Sequence, residues 1–155
     1  MRWVVNHIRT WTGVLLTAFF FFGLATMAGA KGYDYDSAVK TAETDINSKN
    51  YFRAFRIIKE IGNNAYKENN PYGKYLFFST TAKLYNGQGD IGMAERNYRS
   101  AIETAETSLS KLDIGDDYLG LARCLDRLTR RSEGVDMLKQ ALGKVKTDNS
   151  KVILH

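Results

Sequence analysis

The feature that most constrains this chain is a self-similarity at one fixed offset of 40 residues. Ala42, Ala82 and Ala122 fall in register, as do Asp45, Tyr85 and Leu125. Ala54, Ala94 and Gly134 form a third column, Ile58, Tyr98 and Leu138 a fourth, and Ile61, Ala101 and Ala141 a fifth. Small residues recur in three columns and large, mostly apolar ones in the other two. A unit of this size cannot bury its apolar face alone. Stacked neighbours bury a continuous core, so such a chain folds as a repeat array.

Within a unit the periodicity is helical. Phe78, Ala82 and Tyr85 lie on one face of a helix-spaced segment. The segment 86–90 then breaks it: Gly89 ends the helix and Asp90 supplies a cap for the next. Met93, Ala94, Tyr98, Ala101, Ile102 and Ala105 trace a second amphipathic helix. The third unit repeats the pattern with Tyr118, Leu121, Ala122 and Leu125, then Val135, Leu138, Ala141 and Leu142. Its turn, 128–131, lacks glycine. The first unit is the most degraded, with Asp45 where the second has an aromatic residue.

These residues resemble the tetratricopeptide repeat family. Phe78, Ala82, Leu84, Tyr85, Gly89, Asp90, Ala94, Tyr98 and Ala101 match that motif's aromatic, small and turn positions. Tyr118, Leu121, Ala122, Ala141 and Leu142 match in the third unit, where Gly134 replaces the usual alanine. The usual terminal proline is absent, and the period is 40 residues rather than the family's 34. The extra length implies longer second helices or longer links, as around 103–115. The resemblance implies an all-α, right-handed helix-turn-helix solenoid of three units over residues 36–146, divided at 36–75, 76–115 and 116–146. Residues 31–35 are then a linker and 147–155 a C-terminal tail.

The resemblance also implies a concave face lined by the first helix of each unit, where the family binds peptides and proteins. Carried over column by column, that face holds Val39, Glu43, Ile46 and Asn47; then Leu76, Ser79, Lys83 and Asn86; then Leu119, Arg123, Asp126 and Arg127. Lys83 and Arg123 share a column and Arg127 lies a turn beyond. The strip suits a carboxylate, a peptide C-terminus or an acidic segment; otherwise these are solvated charges. The family's carboxylate-gripping pattern is not met, because Glu43 stands where an amide or a base belongs. A second candidate surface is aromatic: Tyr33, Tyr35, Tyr51, Phe52, Tyr66, Tyr72 and Tyr75 crowd the N-terminal half. Tyr33 and Tyr35 read as linker, the later ones as packing between helices.

Ahead of the repeats stands a targeting segment. Arg2 and Arg9 precede 21 uncharged residues, 10–30, with an apolar centre at 14–24 and small residues at Ala28 and Ala30. That order is a secretory signal with an A-x-A cleavage site. At ~1.5 Å per residue the run is also long enough for a membrane anchor. Either way the arginines keep the N-terminus inside and send the repeats outside. The expected location is therefore exported, periplasmic or extracytoplasmic, with membrane contact only through residues 10–30 if they are retained. The absence of a cysteine after the run excludes a lipoprotein anchor.

Charge and chemistry narrow the function. Setting aside Arg2 and Arg9 lowers the formal charge from +5 to +3, which with the compartment disfavours nucleic acid. Both histidines, His7 and His155, are terminal, so a nucleophile–histidine arrangement has no base. Cys124 is the one cysteine, which excludes a disulfide framework and a Cys-rich zinc site. It reads as a small buried residue or as an intermolecular linkage point. Asp113, Asp116 and Asp117 cluster at a predicted helix start, where acids complement the helix dipole, and lack the EF-hand alternation. Gly87-Gln88-Gly89 is a turn, not a phosphate loop. The expectation is a non-catalytic protein without cofactor or metal: a scaffold, an adaptor or an accessory subunit of an envelope assembly. The alternatives are a self-assembling subunit stacking through its last helix, whose tail is apolar, and a membrane-anchored assembly factor.

Overall fold

The structure is a computed structural model, and it describes residues 32–109 and 111–152, with side chains to Gly143. The targeting segment and its cleavage residues Ala28 and Ala30 lie outside the described residues. The described residues form six α-helices and no strand, all within the unit Asp34–His155. In order they are α1 (Tyr35–Asn47), α2 (Tyr51–Lys67), α3 (Pro71–Gln88), α4 (Ile91–Ser108), α5 (Gly115–Arg127) and α6 (Arg131–Val152). Each packs on the next in sequence, and the first helices also meet one another, α1 on α3 and α3 on α5. The result is three stacked helix-turn-helix pairs.

The 40-residue period resides in the turns. Lys49, Gly89 and Thr129 all take the left-handed backbone, with φ of 61°, 85° and 63°. The amides of Asn50, Asp90 and Arg130 then donate to the carbonyls of Asp45, Tyr85 and Leu125 at 2.8, 3.0 and 2.8 Å. This is the 6→1 bond that closes a helix C-terminus. A glycine is found only in the second turn. The third turn does without one because its closing bond and the following helix hold Thr129 there, despite the steric cost to a β-branched residue.

Helix starts follow local chemistry. Asp34, Asn70 and Asp90 each accept from the amide three residues on, at 3.1 Å, so their side chains satisfy an orphaned helix donor. Pro71 takes the first position of α3, where its missing N–H costs nothing. The second helices start at Tyr51, Ile91 and Arg131, spaced by 40 residues. The first helices start unevenly, at Tyr35, Pro71 and Gly115, because the link 68–70 is short and the link 109–114 is long. Three sequence boundaries shift accordingly. The break at 75/76 falls inside α3, which Asn70 and Pro71 start earlier. Tyr35 belongs to α1 rather than to a linker. Helix α6 continues past 147 to Val152, into the segment read as tail.

The repeat columns are the core. Ala42 and Ala82 are fully buried and Ala122 nearly so, as are Ala54 and Ala94. Gly134 completes the latter column because α6 lies so close to α5 that a Cβ would sit 3.1 Å from the Ala122 carbonyl oxygen. Ile58, Tyr98 and Ile61 are buried, while Leu138 and Ala141, on the last helix, are half-buried. Phe78, half-buried, packs against Tyr75, Ala101 and Ala105. The polar exception is Asp45, buried in a column otherwise held by Tyr85 and Leu125. Its Oδ2 lies 3.2 Å from Arg53 Nε, an ion pair without hydrogen-bond alignment.

Candidate functional site

Of the twelve groove residues that the resemblance implies, Glu43, Ile46, Asn47, Lys83 and Asn86 line a common cleft, and Val39, Leu76, Ser79, Leu119, Arg123, Asp126 and Arg127 do not. A cleft of about 530 Å³ is lined by Glu43, Ile46 and Asn47 from α1 and by Lys83, Asn86 and Gly87 from α3. Lys49 from the turn after α1, Tyr51 from the start of α2 and Tyr98 from α4 complete the lining. Tyr51 donates to the Gly87 carbonyl at 2.6 Å, tying the start of α2 to the end of α3. A Cβ on Gly87 would meet that ring at 3.2 Å. Lys49, Tyr51 and Gly87 were not anticipated as lining residues. Their signal was their place beside the helix turns.

The basic strip is largely engaged within the protein. Lys83 pairs with Glu43 of the preceding unit, exactly one period away in sequence, so the acid that breaks the family's carboxylate-gripping pattern neutralises the nearest lysine. Arg127 donates to Asn86 Oδ1 at 3.1 Å. Asp126 accepts from Arg131 Nε at 2.6 Å and is thereby turned toward α6. Arg123 differs: it is exposed, and among the described residues it has no hydrogen bond or ion pair. Leu119 is exposed and Leu76 half-buried. Leu76 packs beside Tyr75 rather than lining the cleft.

A second, smaller cavity of about 250 Å³ lies between α3 and α5, lined by Tyr75, Ser79, Lys83, Asp113, Gly115, Asp116 and Asp117. Asp117 is buried and accepts from Tyr75 Oη at 2.7 Å and Ser79 Oγ at 2.6 Å. Burial and the adjacent Asp117 carboxylate push the Tyr75 phenol far up from its ordinary value. The acidic cluster is thus divided: Asp117 is a buried acceptor joining two units, and Asp113 accepts from the Gly115 amide at 3.0 Å. Sequence spacing placed Ser79 on the groove and Asp117 at a helix start, but gave no sign that they meet.

Of the aromatic residues read as packing, Tyr75 is buried and Tyr51 and Tyr72 are half-buried. Tyr35, read as linker, is instead buried and donates to Glu68 at 2.8 Å. Tyr72 donates to Asp36 at 2.7 Å, a bond that together with burial lifts its pKa to about 12. Tyr98 is buried, and desolvation raises its pKa to about 12. Phe52 and Tyr66 stand apart: they are 79% and 56% exposed, on the outward side of α2. Cys124 is buried against the core, which pushes its thiol pKa up and leaves it a poor linkage point.

No family model and no curated protein matches the chain. Among solved structures, the crystal structure of the TPR domain of Arabidopsis FLU matches with a TM-score of 0.64. The identity is 15%, over 73% of this chain and 95% of that one. The likeness is one of fold: the described helices form an all-α, right-handed solenoid of tetratricopeptide-like repeats.

Proposed function

We propose that this chain is an exported, non-catalytic repeat protein that holds a protein partner in the groove of its first helices, as scaffold, adaptor or accessory subunit of an envelope complex. A tetratricopeptide-like fold accords with protein–protein interaction in general. The observation that carries the specific reading is the cleft in which Glu43, Ile46, Asn47, Lys83 and Asn86, drawn from two units, converge. Its lining mixes Ile46, Tyr51 and Tyr98 with charged groups of both signs, Glu43, Lys49 and Lys83, a composition that suits a peptide. Arg123, with its guanidinium unspent, is the natural anchor for a carboxylate on the partner. Export rests on the order of Arg2, Arg9, the uncharged run and Ala28/Ala30 in the sequence.

The test is affinity capture from the source's envelope fraction with the full chain and with its Lys83→Glu/Arg123→Glu variant. The reading expects a partner retained by the first and lost by the second, both variants melting alike. A partner held equally by both overturns the groove as the binding face. Self-assembly has one supporting observation: the last helix leaves Val135 and Leu142 45% and 62% exposed. Mass that rises with concentration and falls on Leu142→Lys identifies that mode.

A further inference from the structure

The outward face of α2 is the least explained surface of the described protein. Its inward face, Ala54, Ile58, Ile61, Gly62 and Ala65, is buried. Outward it presents Phe52, Phe55 and Tyr66, 79%, 50% and 56% exposed. Between Phe55 and Tyr66 stand Arg56 and Lys59, and Lys67 follows Tyr66, all exposed. Among the described residues these three cations have no hydrogen bond or ion pair from their side chains, whereas Arg53 at the edge pairs with Asp45. Glu60 is the only acid in the helix. Lys74 of α3 extends the pattern, its Nζ 5.4 Å from the centre of the Tyr66 ring.

We infer that this face docks on an anionic lipid surface. The charge is complementary to lipid phosphates, and aromatic rings interleaved with Lys and Arg suit the boundary between headgroups and acyl chains. A second copy meeting this face across a two-fold axis would set Arg56, Lys59 and Lys67 against their own equivalents. Docking by α2 leaves the cleft of α1 and α3 free, since α2 contributes only Tyr51 to it. The inference therefore stands apart from the groove reading.

The test uses the full chain in vesicles, with an environment-sensitive fluorophore on Asn63→Cys, at the middle of the face, or on Glu103→Cys of α4 as reference. Both positions are exposed and native Cys124 is buried. The vesicles are phosphatidylcholine alone or with phosphatidylglycerol. A blue shift at 63 that grows with phosphatidylglycerol, is absent at 103, and is lost with Arg56→Glu/Lys59→Glu or at 1 M salt is the expected result. The salt arm works because screening shortens the reach of charge to ~3 Å. Phe52→Ser/Phe55→Ser weakens the shift without removing its lipid dependence. Identical spectra in both vesicle types overturn the inference. So does a shift that follows protein density in the bilayer, which reports a second copy, or one produced by a single-stranded oligonucleotide in place of anionic lipid. Far-ultraviolet circular dichroism of each variant separates lost docking from lost fold.

Discussion

The two seams between units are built differently. Where the second pair of helices meets the first, the polar contacts sit toward the surface: Tyr72 to Asp36, Tyr51 to the Gly87 carbonyl and Lys83 to Glu43. The chain crosses that seam by the short link 68–70, whose Asn69 takes a φ of 48° and whose Asn70 caps α3. Where the third pair meets the second, the chain crosses by the longer link 109–114, and besides the exposed bond of Arg127 to Asn86 the seam has a buried polar contact: Tyr75 and Ser79 on Asp117. Outside it, Arg99 and Arg130 bracket Glu95 and Glu133. A short, conformationally fixed link itself restricts how two helices can meet. A long link restricts less, so the register of the second seam falls to side chains in the interior.

The sharpest way to break this contrast is Asp117→Ala. It orphans two hydroxyls in the interior at ~1–3 kcal/mol each, so unfolding in urea should show a loss of roughly 2–6 kcal/mol. Hydrogen exchange should show α5 and α6 opening below the rest. Asp117→Asn keeps the shape and one acceptor and costs less. A loss under ~1 kcal/mol for the alanine variant means that the second seam is held by its apolar packing, and the contrast fails.

Next come two glycines where helices nearly touch. A Cβ on Gly73 would meet Tyr35 at 2.6 Å and the Ala65 Cβ at 2.9 Å. On Gly120 it would meet only the phenol end of Tyr98, at 2.5 Å. Ala65 is fixed to the backbone of α2, whereas a ring end yields by tilting. Gly73→Ala should therefore cost ~2–3 kcal/mol and Gly120→Ala ~1 kcal/mol, after the ~1 kcal/mol that alanine returns in helix propensity. Thermal melts of the two variants give the order. The reverse order means that the Tyr98 ring is the more rigid wall, and the second seam is tighter than its long link suggests.

Alkali probes both seams together. Tyr72 and Tyr98 have pKa values of about 12, and Tyr75 is also raised. Above pH ~10 the unfolded chain releases phenolic protons that the folded one keeps, so stability is whole below pH 10 and falls between 10 and 12. Tyr75→Phe should flatten that fall more than Tyr72→Phe, since Tyr75 is buried beside a carboxylate and Tyr72 lies near the surface. Equal flattening in a pH-dependent melt means that the two seams bury their phenols alike.

What sequence revealed follows the same division. The small-residue columns were legible because helices that cross closely admit only Ala or Gly there, and periodicity exposes that demand. Glu43, Lys83 and Asn86 came from the family resemblance, and the structure sets them around one cleft. The third turn was placed at 128–131 by the repeat, but its left-handed cap at Thr129 was not legible, because glycine is the usual mark of such a cap and tertiary packing here overrides it. Asp117 was hidden for another reason. An acid in the first turn of a helix has a sufficient local explanation, and nothing local announces a partner 42 residues away in sequence. Phe52 and Phe55 were legible as aromatic but not as exposed, since an aromatic residue in an amphipathic helix ordinarily faces the core.

The smallest effect sharpens the contrast most. Glu43 and Lys83 join the first seam through side chains 36% and 38% exposed, so water screens their attraction. A double-mutant cycle of Glu43→Gln and Lys83→Gln should return a coupling of ~0.2–1 kcal/mol, shrinking with salt. A coupling above ~2 kcal/mol would make this pair the equal of Asp117 and remove the distinction between the seams. With the small value, the pair is cheap to open. Glu43→Gln then leaves the fold as it is while releasing the Lys83 ammonium into the cleft beside Asn86. A partner gripped by its carboxylate should bind that variant more tightly and Lys83→Gln more weakly. Opposite responses with unchanged melting show that the first seam spends its charge on the partner rather than on the fold.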